Sequence, residues 1–421
     1  MFYAAANAAL LCSVDMRIRI PQHYNGTLDP PDAARPRSSI RRIPQPTAGE
    51  MRPEKPVITQ LLTEVCKIIQ LTPTQAASAR EKYEAVGSWL EGDPELRALG
   101  IRLYAQGSVA IGTTVRPVGR EEHDVDLVAE VSPPVRSSTW LYEKVAKRLE
   151  ANEIYRRILE RRNRCVTLHY AGEFHMDVLS ACSAPQLQHP FGATAVLVPD
   201  RQLRDWTPSN PLGFRSWFLS RAEGLVAKSV RQAEPLPDQE DPTEMAPLKL
   251  AVQLMKRRRD VYLEGRGHVA PRSIVLTTLA GMAYAGQTDL LETLDAVTSS
   301  LLEMPIRRGR GYYIPNPANP GENFADGWEP RHFDAFMEFL AQLGDDARRL
   351  REISGVGLDE IGRVLAAMFG TEDSKRAVKN LGRSLRAARD DGSLRVDRNR
   401  GLAVGGAGIP VRRHDFYGDH R

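Results

Sequence analysis

Cysteine is scarce in this sequence. Cys12, Cys66, Cys165 and Cys182 stand far apart in a chain of 421 residues, and no C-x-x-C occurs. That excludes a disulfide framework and a zinc ribbon, and it fits a reducing compartment. Long apolar runs are lacking as well. None approaches the roughly eighteen residues that a membrane-crossing helix needs, so no membrane partner is expected. The opening Met1–Val14 is apolar, but no basic residue precedes it, which makes it a poor signal peptide. Cytoplasm is the default location. Charge of one sign is also missing: a formal net charge of +4 is small for this length and does not argue for a long nucleic acid as partner. Basic residues concentrate only locally, at Arg156–Arg164 and Lys256–Arg259, where they can serve anionic ligands.

What is present is a soluble, globular composition, 42% hydrophobic and 26% charged. The length exceeds one ordinary core and suggests two lobes with tails. The chemistry gathers between Gln106 and Val128. Gly107-Ser108 opens a turn whose amides and hydroxyl can hold a phosphate, and Asp124-Val125-Asp126 follows. On a strand Asp124 and Asp126 share one face, roughly 6.5–7 Å apart, with His123, Val125 and Leu127 on the other. Such a pair suits divalent cations, which want hard oxygen ligands. About fifty residues on, the run Phe174–Leu179 places Phe174, Met176 and Val178 on one face and His175, Asp177 and Leu179 on the other. If the two strands lie side by side, Asp177 joins the pair. Three such acids can hold two Mg²⁺ or Mn²⁺ ions about 3.5–4 Å apart, the spacing of in-line phosphoryl chemistry. His169 and His175 read as ordinary residues of a polar strand face.

The pattern G-S-x-x-x-G-T-x-x-x-P, then D-V-D, then M-D-V resembles nucleotidyltransferases of the polymerase-β superfamily. Within it the chain is similar to the bacterial CD-NTases, which make cyclic oligonucleotide signals in anti-phage defence. The likeness runs from about Val57 to Leu381. It implies an α+β fold: a polymerase-β-like nucleotidyltransferase lobe with a mixed sheet, a helical oligoadenylate-synthase-like C-terminal lobe, and a cleft between them. It also implies that Gly107 and Ser108, with Gln106 at the head of the turn, contact the donor triphosphate. Asp124 and Asp126 would hold both metals, and Asp177 would complete the catalytic metal site. The implied substrates are nucleoside triphosphates, ATP or GTP among them, and defence-operon proteins are the expected regulators. Two other readings stay open: transfer to an RNA end or small metabolite, and a non-catalytic nucleotide-binding scaffold.

The remaining chain is organised around these pieces. Residues 1–56, dense in proline, read as a disordered basic leader or as an over-extended start before Met51. The catalytic lobe is expected over 57–205, its first helices bracing the sheet from behind, and the helical lobe over 206–381. Cys165–Tyr170 pairs with Phe174–Leu179 through Ala171-Gly172. In the helix opening at Pro247, Leu248, Val252 and Met255 form a buried stripe, while Lys249, Lys256 and Arg259 face the cleft as nucleotide-binding candidates. The aromatics of 312–328 lie near a base or inside a core. A mobile, basic, Gly-rich tail is expected over 382–421. Its last three residues follow Gly418, which speaks against covalent attachment through a terminal glycine.

Overall fold

Helix α1, Val57–Ile69, buries Leu61, Leu62, Val65, Ile68 and Ile69, the helical spacing read from the sequence. The computed structural model describes residues 57–119, 122–186, 188–224, 234–264, 271–353, 358–397, 401–404 and 408–411. All fall within one compact unit, Arg52–Arg421. The expected leader over 1–56 and the chain end beyond 411 lie outside them. Thr72 opens α2 (Pro73–Glu91) with a capping box: its hydroxyl accepts from the Gln75 amide, and the Gln75 side chain accepts from the Thr72 amide. Asp93 caps α3 (Pro94–Ala98), which feeds β1 (Arg102–Gln106), a single turn α4 (Gly107–Ala110) and β2 (His123–Val131). There follow α5 (Ser138–Glu150), α6 (Glu153–Ile158), β3 (Leu159–Arg161), β4 (Cys165–Tyr170), β5 (Phe174–Ser183), β6 (Val196–Asp200) and β7 (Asp205–Ser209).

These strands make one mixed seven-stranded sheet in the order β1-β2-β5-β4-β3, with β6 on the end of β5 and β7 beyond it. Only β2 and β5 run parallel; every other pair is antiparallel. The reverse face carries Val125, Leu127, Met176 and Val178 into a core closed by Tyr83, Val86 and Leu90 of α2 and by Leu141, Val145 and Leu149 of α5. Further along the acid-bearing face, Tyr104, Val128 and Ala181 are buried too, against Val196, Val198 and Leu212. The carboxylates therefore stand at one end of an otherwise apolar surface.

The second half comprises α7 (Pro211–Glu223), α8 (Pro247–Leu263), α9 (Ser273–Ala283), α10 (Leu290–Glu303), α11 (Pro330–Glu352), α12 (Leu358–Phe369) and α13 (Thr371–Asp390). Four short strands, β8 (Arg307–Arg308), β9 (Gly311–Tyr312), β10 (Pro315–Asn316) and β11 (Asn319–Asn323), form two hairpins between α10 and α11. The sheet β13-β12-β14 (Gly401–Val404, Leu394–Asp397, Ile409–Pro410) closes the described chain.

Three expectations need correction. Helix α1 does not brace the sheet: its apolar face joins the helical core with Leu248, Leu254, Leu294 and Ala377, so the boundary drawn at 205 divides the chain but not the packing. The boundary at 381 falls inside α13, which runs on to Asp390 because Ala377, Leu381, Leu385 and Ala388 keep a buried stripe through Gly382. Strands β12 to β14 then occupy part of the supposed tail. Helix α8 has no single buried stripe, since every residue from Leu248 to Arg258 is buried. The basic stretch 156–164 contains the end of α6 and strand β3.

Tyr312, Phe324 and Trp328 pack against the helical core. Tyr312 stacks on Phe333 at 4.8 Å and Trp328 meets Phe336 edge-on at 5.3 Å. Asn323 fixes the turn: its carbonyl accepts from the Ile314 and Ala325 amides, and its amide donates to Tyr312 O.

Candidate active site

Strand register assembles the site. Gln106 opposes Asp126, Asp126 opposes Asp177, and Asp177 opposes Thr167, a single row across β1, β2, β5 and β4. The three aspartates read from the sequence thus meet on one face, Asp124 one strand step further along. The Thr167 hydroxyl donates to Asp177 Oδ1 at 2.5 Å, and the Gln106 amide donates to Asp126. The β4–β5 hairpin register is what sets Thr167 opposite Asp177.

Crowding of like charge shows in the acids. Burial, followed by the charges of Asp124 and Asp177, pushes the Asp126 carboxyl up to about 7. Asp124 stands more open, yet burial and then Asp177 raise it as well. Among the described residues no three His, Cys, Asp or Glu side chains form a ready-made ligand cage. The donor set at hand is carboxylate oxygen, which favours hard cations.

The phosphate turn closes directly on the acids. Gly107 has φ of +65°, and a Cβ built there would overlap Asp126 Oδ2 and stand 3.1 Å from its Cγ. Only glycine allows both the left-handed backbone and this approach. Ser108 Oγ accepts from the Thr114 hydroxyl at 3.2 Å, and Ser108 O accepts from the Thr113 amide at 2.9 Å.

Helix α8 holds the other side of this turn. Lys256 Nζ donates to Thr113 O at 3.1 Å and to its Oγ1 at 3.0 Å. Gln253 Nε2 donates to Gly112 O and Thr114 O. Burial pushes the Lys256 ammonium down to about 7, with Arg259 adding to the effect. Lys249 is buried and paired with Glu223 and with Glu240, the latter at 2.5 Å. Neither lysine faces an open cleft: Lys256 braces the turn from beneath, and Lys249 is tied to two carboxylates. His169 and His175 meet edge to face at 4.7 Å, each beside a glutamate, Glu160 at 2.8 Å and Glu122 at 3.2 Å. They are polar-face residues, as read.

A glycine-serine turn beside a strand-borne acid triad, on a mixed sheet packed against helices, is the arrangement of a polymerase-β-like nucleotidyltransferase. Residues 57–221 match the model of the Second Messenger Oligonucleotide or Dinucleotide Synthetase domain. The chain is 32% identical over 383 residues to a c-di-GMP synthase of Roseivirga ehrenbergii, covering 87% of this chain and 98% of that one. It is 28% identical over 410 residues to the cyclic dinucleotide synthase CdnG of Bradyrhizobium diazoefficiens, covering 88% and 97%. The solved structure of that CdnG in complex with GTP superposes with a TM-score of 0.60 at 25% identity, over 77% of this chain and 98% of the other. The Escherichia coli CdnC:HORMA-deltaN complex shares the fold, with a TM-score of 0.54 at 14% identity over 75% and 98%. The chain belongs to the CD-NTase family, nucleotidyltransferases that join nucleoside triphosphates into cyclic second messengers with the help of divalent metal ions. Among the described residues no helix is long and apolar enough to cross a membrane.

Proposed function

We propose that this enzyme joins two molecules of GTP into a cyclic dinucleotide, releasing pyrophosphate twice. The guanine assignment rests on the printed activity of the Roseivirga relative and on the GTP held by CdnG. The observation that carries the catalytic reading is the row joining Asp126 to Asp177, with Gly107 pressed against it.

In this reading Asp124 and Asp126 hold two magnesium ions, and Asp177 completes the ligand set of one of them. Bound there, the ions lower the pKa of the attacking hydroxyl and neutralise the leaving pyrophosphate. The residues of the chain do the rest. The Gly107 and Ser108 amides and the Ser108 hydroxyl grip the β- and γ-phosphates. Gln106 orients Asp126, and Thr167 orients Asp177, so that both carboxylates present a fixed oxygen to the cleft. Lys256 fixes the loop at Thr113 and contributes positive charge near Asp126. Lys249 takes a nucleotide-binding role only by leaving Glu223 and Glu240. The product serves anti-phage signalling in the cytoplasm, where regulatory proteins act on the synthase.

The test is the Asp124→Ala, Asp126→Ala double variant incubated with GTP and magnesium. Pyrophosphate release and any phosphatase-resistant cyclic product seen by mass spectrometry should both vanish. Release at the wild-type rate would sink the site assignment. A wild-type product that needs an added RNA or metabolite acceptor would instead support transfer to that acceptor.

A further inference from the structure

Away from the acid triad, a cavity of about 820 Å³ opens between the loop 116–119, the last turns of α8 and the junction of α12 with α13. Its wall is built to attract an anion. Arg116 of the loop and Arg257 of α8 converge on one carboxylate, Asp373, each with a nitrogen 3.1 Å from an oxygen. Arg257 is only 3% exposed, and its Nε has no hydrogen-bond acceptor. Its Nη2 pairs with Asp373 by charge but not in hydrogen-bonding line. The twenty-residue helix α13 begins here, at Thr371, with no side-chain cap from Gly370, so its first amides border the cavity alongside Glu372 and Asp373 of the same turn. His123, 5% exposed, adds an Nε2 without a partner.

Acids on the same wall do not cancel this. Glu173 is held by Lys82 and Glu372 by Lys375, while Glu264 lies on the exposed rim. Asp373 is then left among three arginines, Arg116 and Arg257 at 3.1 Å and the exposed Arg376 at 3.7 Å. Pro117, Val118, Val261 and Phe369 supply apolar surface for the body of a ligand.

We propose that this cavity binds the phosphate group of a small phosphorylated molecule, gripped by Arg116, Arg257 and the amino end of α13. Two planar guanidinium forks beside an open helix terminus are phosphate-binding chemistry. The site is connected to the catalytic face by the chain itself. Arg116 lies between Thr113 and Asp124, and Arg257 follows Lys256, which grips Thr113. Occupation of the cavity therefore shifts the loop that carries the phosphate turn. This coupling rests on the synthase reading, whereas binding does not.

The experiment needs no turnover, which keeps its failure distinct from failure of the synthase reading. Inorganic phosphate is titrated into the metal-free full chain, and each protein's melting shift is read against its own phosphate-free melt. Three variants are compared: Arg116→Gln, Val118→Trp, which fills the cavity without removing charge, and Ser108→Ala, which weakens the catalytic phosphate turn. We expect a saturable rise in the wild type that persists in Ser108→Ala. It should weaken about tenfold in affinity or disappear in both Arg116→Gln and Val118→Trp. Any other pattern overturns the proposal: no saturable shift, a shift lost with Ser108→Ala, or one kept in either cavity variant. An equal response to acetate would show a general anion effect and overturn the phosphate assignment.

Discussion

Replacing Gly107 by alanine probes the closest approach in the catalytic site. Two penalties add. A left-handed backbone carrying a Cβ costs about 1–2 kcal/mol. The new methyl also overlaps Asp126 Oδ2 and lies 3.1 Å from Cγ, so the carboxylate must swing away by about an ångström. A misplacement of that size around a reacting centre is worth about 10²-fold in rate. The control is Gly172→Ala in the β4–β5 turn. Gly172 has φ of +75° but nothing within 4 Å of the added carbon, so it carries the backbone penalty alone. Both variants should lose a few degrees of melting temperature. Pyrophosphate release from GTP under saturating magnesium should fall about 100-fold in Gly107→Ala and stay close to wild type in Gly172→Ala. If Gly107→Ala keeps wild-type turnover, the contact with Asp126 does not position a catalytic carboxylate and the argument fails.

The pH dependence of stability gives a second check. In the fold Asp126 titrates at about 7 against about 3.9 unfolded, so the folded state binds the extra proton between those values. The Asp126 contribution to the stability of metal-free protein should therefore fall as pH rises from about 4 to about 7 and level off above, where the depressed Lys256 begins to act in the opposite sense. Asp126→Asn should flatten that slope, and magnesium should restore wild-type stability at pH 8. Parallel slopes in the two proteins would refute the assignment. For Lys256→Met, which leaves buried Thr113 acceptors unpaired, we expect a loss of about 1–3 kcal/mol and a raised KM for GTP. Unchanged KM together with unchanged melting would show that the tie to Thr113 is idle.

Much of the catalytic half could be read from the letters because strand alternation is a local rule. Phe174, Met176 and Val178 against His175 and Asp177 separate cleanly, and the glycine after Gln106 marks the turn. The row joining Gln106, Asp126, Asp177 and Thr167 needed only the correct pairing. What escaped depends on contacts distant in sequence. Nothing in Leu61, Leu62 and Val65 says whether their stripe meets a sheet or a helix bundle. Helix α13 hides among arginines, since its buried positions are partly alanine and it carries Gly382. The partners of Lys249 and Lys256 escaped for a related reason. A basic helix end looks solvent-facing until the glutamates and carbonyls around it are seen.

The placement of α1 carries a consequence for how the protein is made. Its apolar face is completed by α8, α10 and α13, the last beginning at Thr371. At translation speeds of about 5–20 residues per second, that surface waits roughly 15–60 seconds on the ribosome for its final neighbour. The sheet assembles in the interval, while Leu61, Leu62 and Val65 remain bare. A gene split near residue 205 would make that wait permanent, so the two fragments should be recoverable only when produced together.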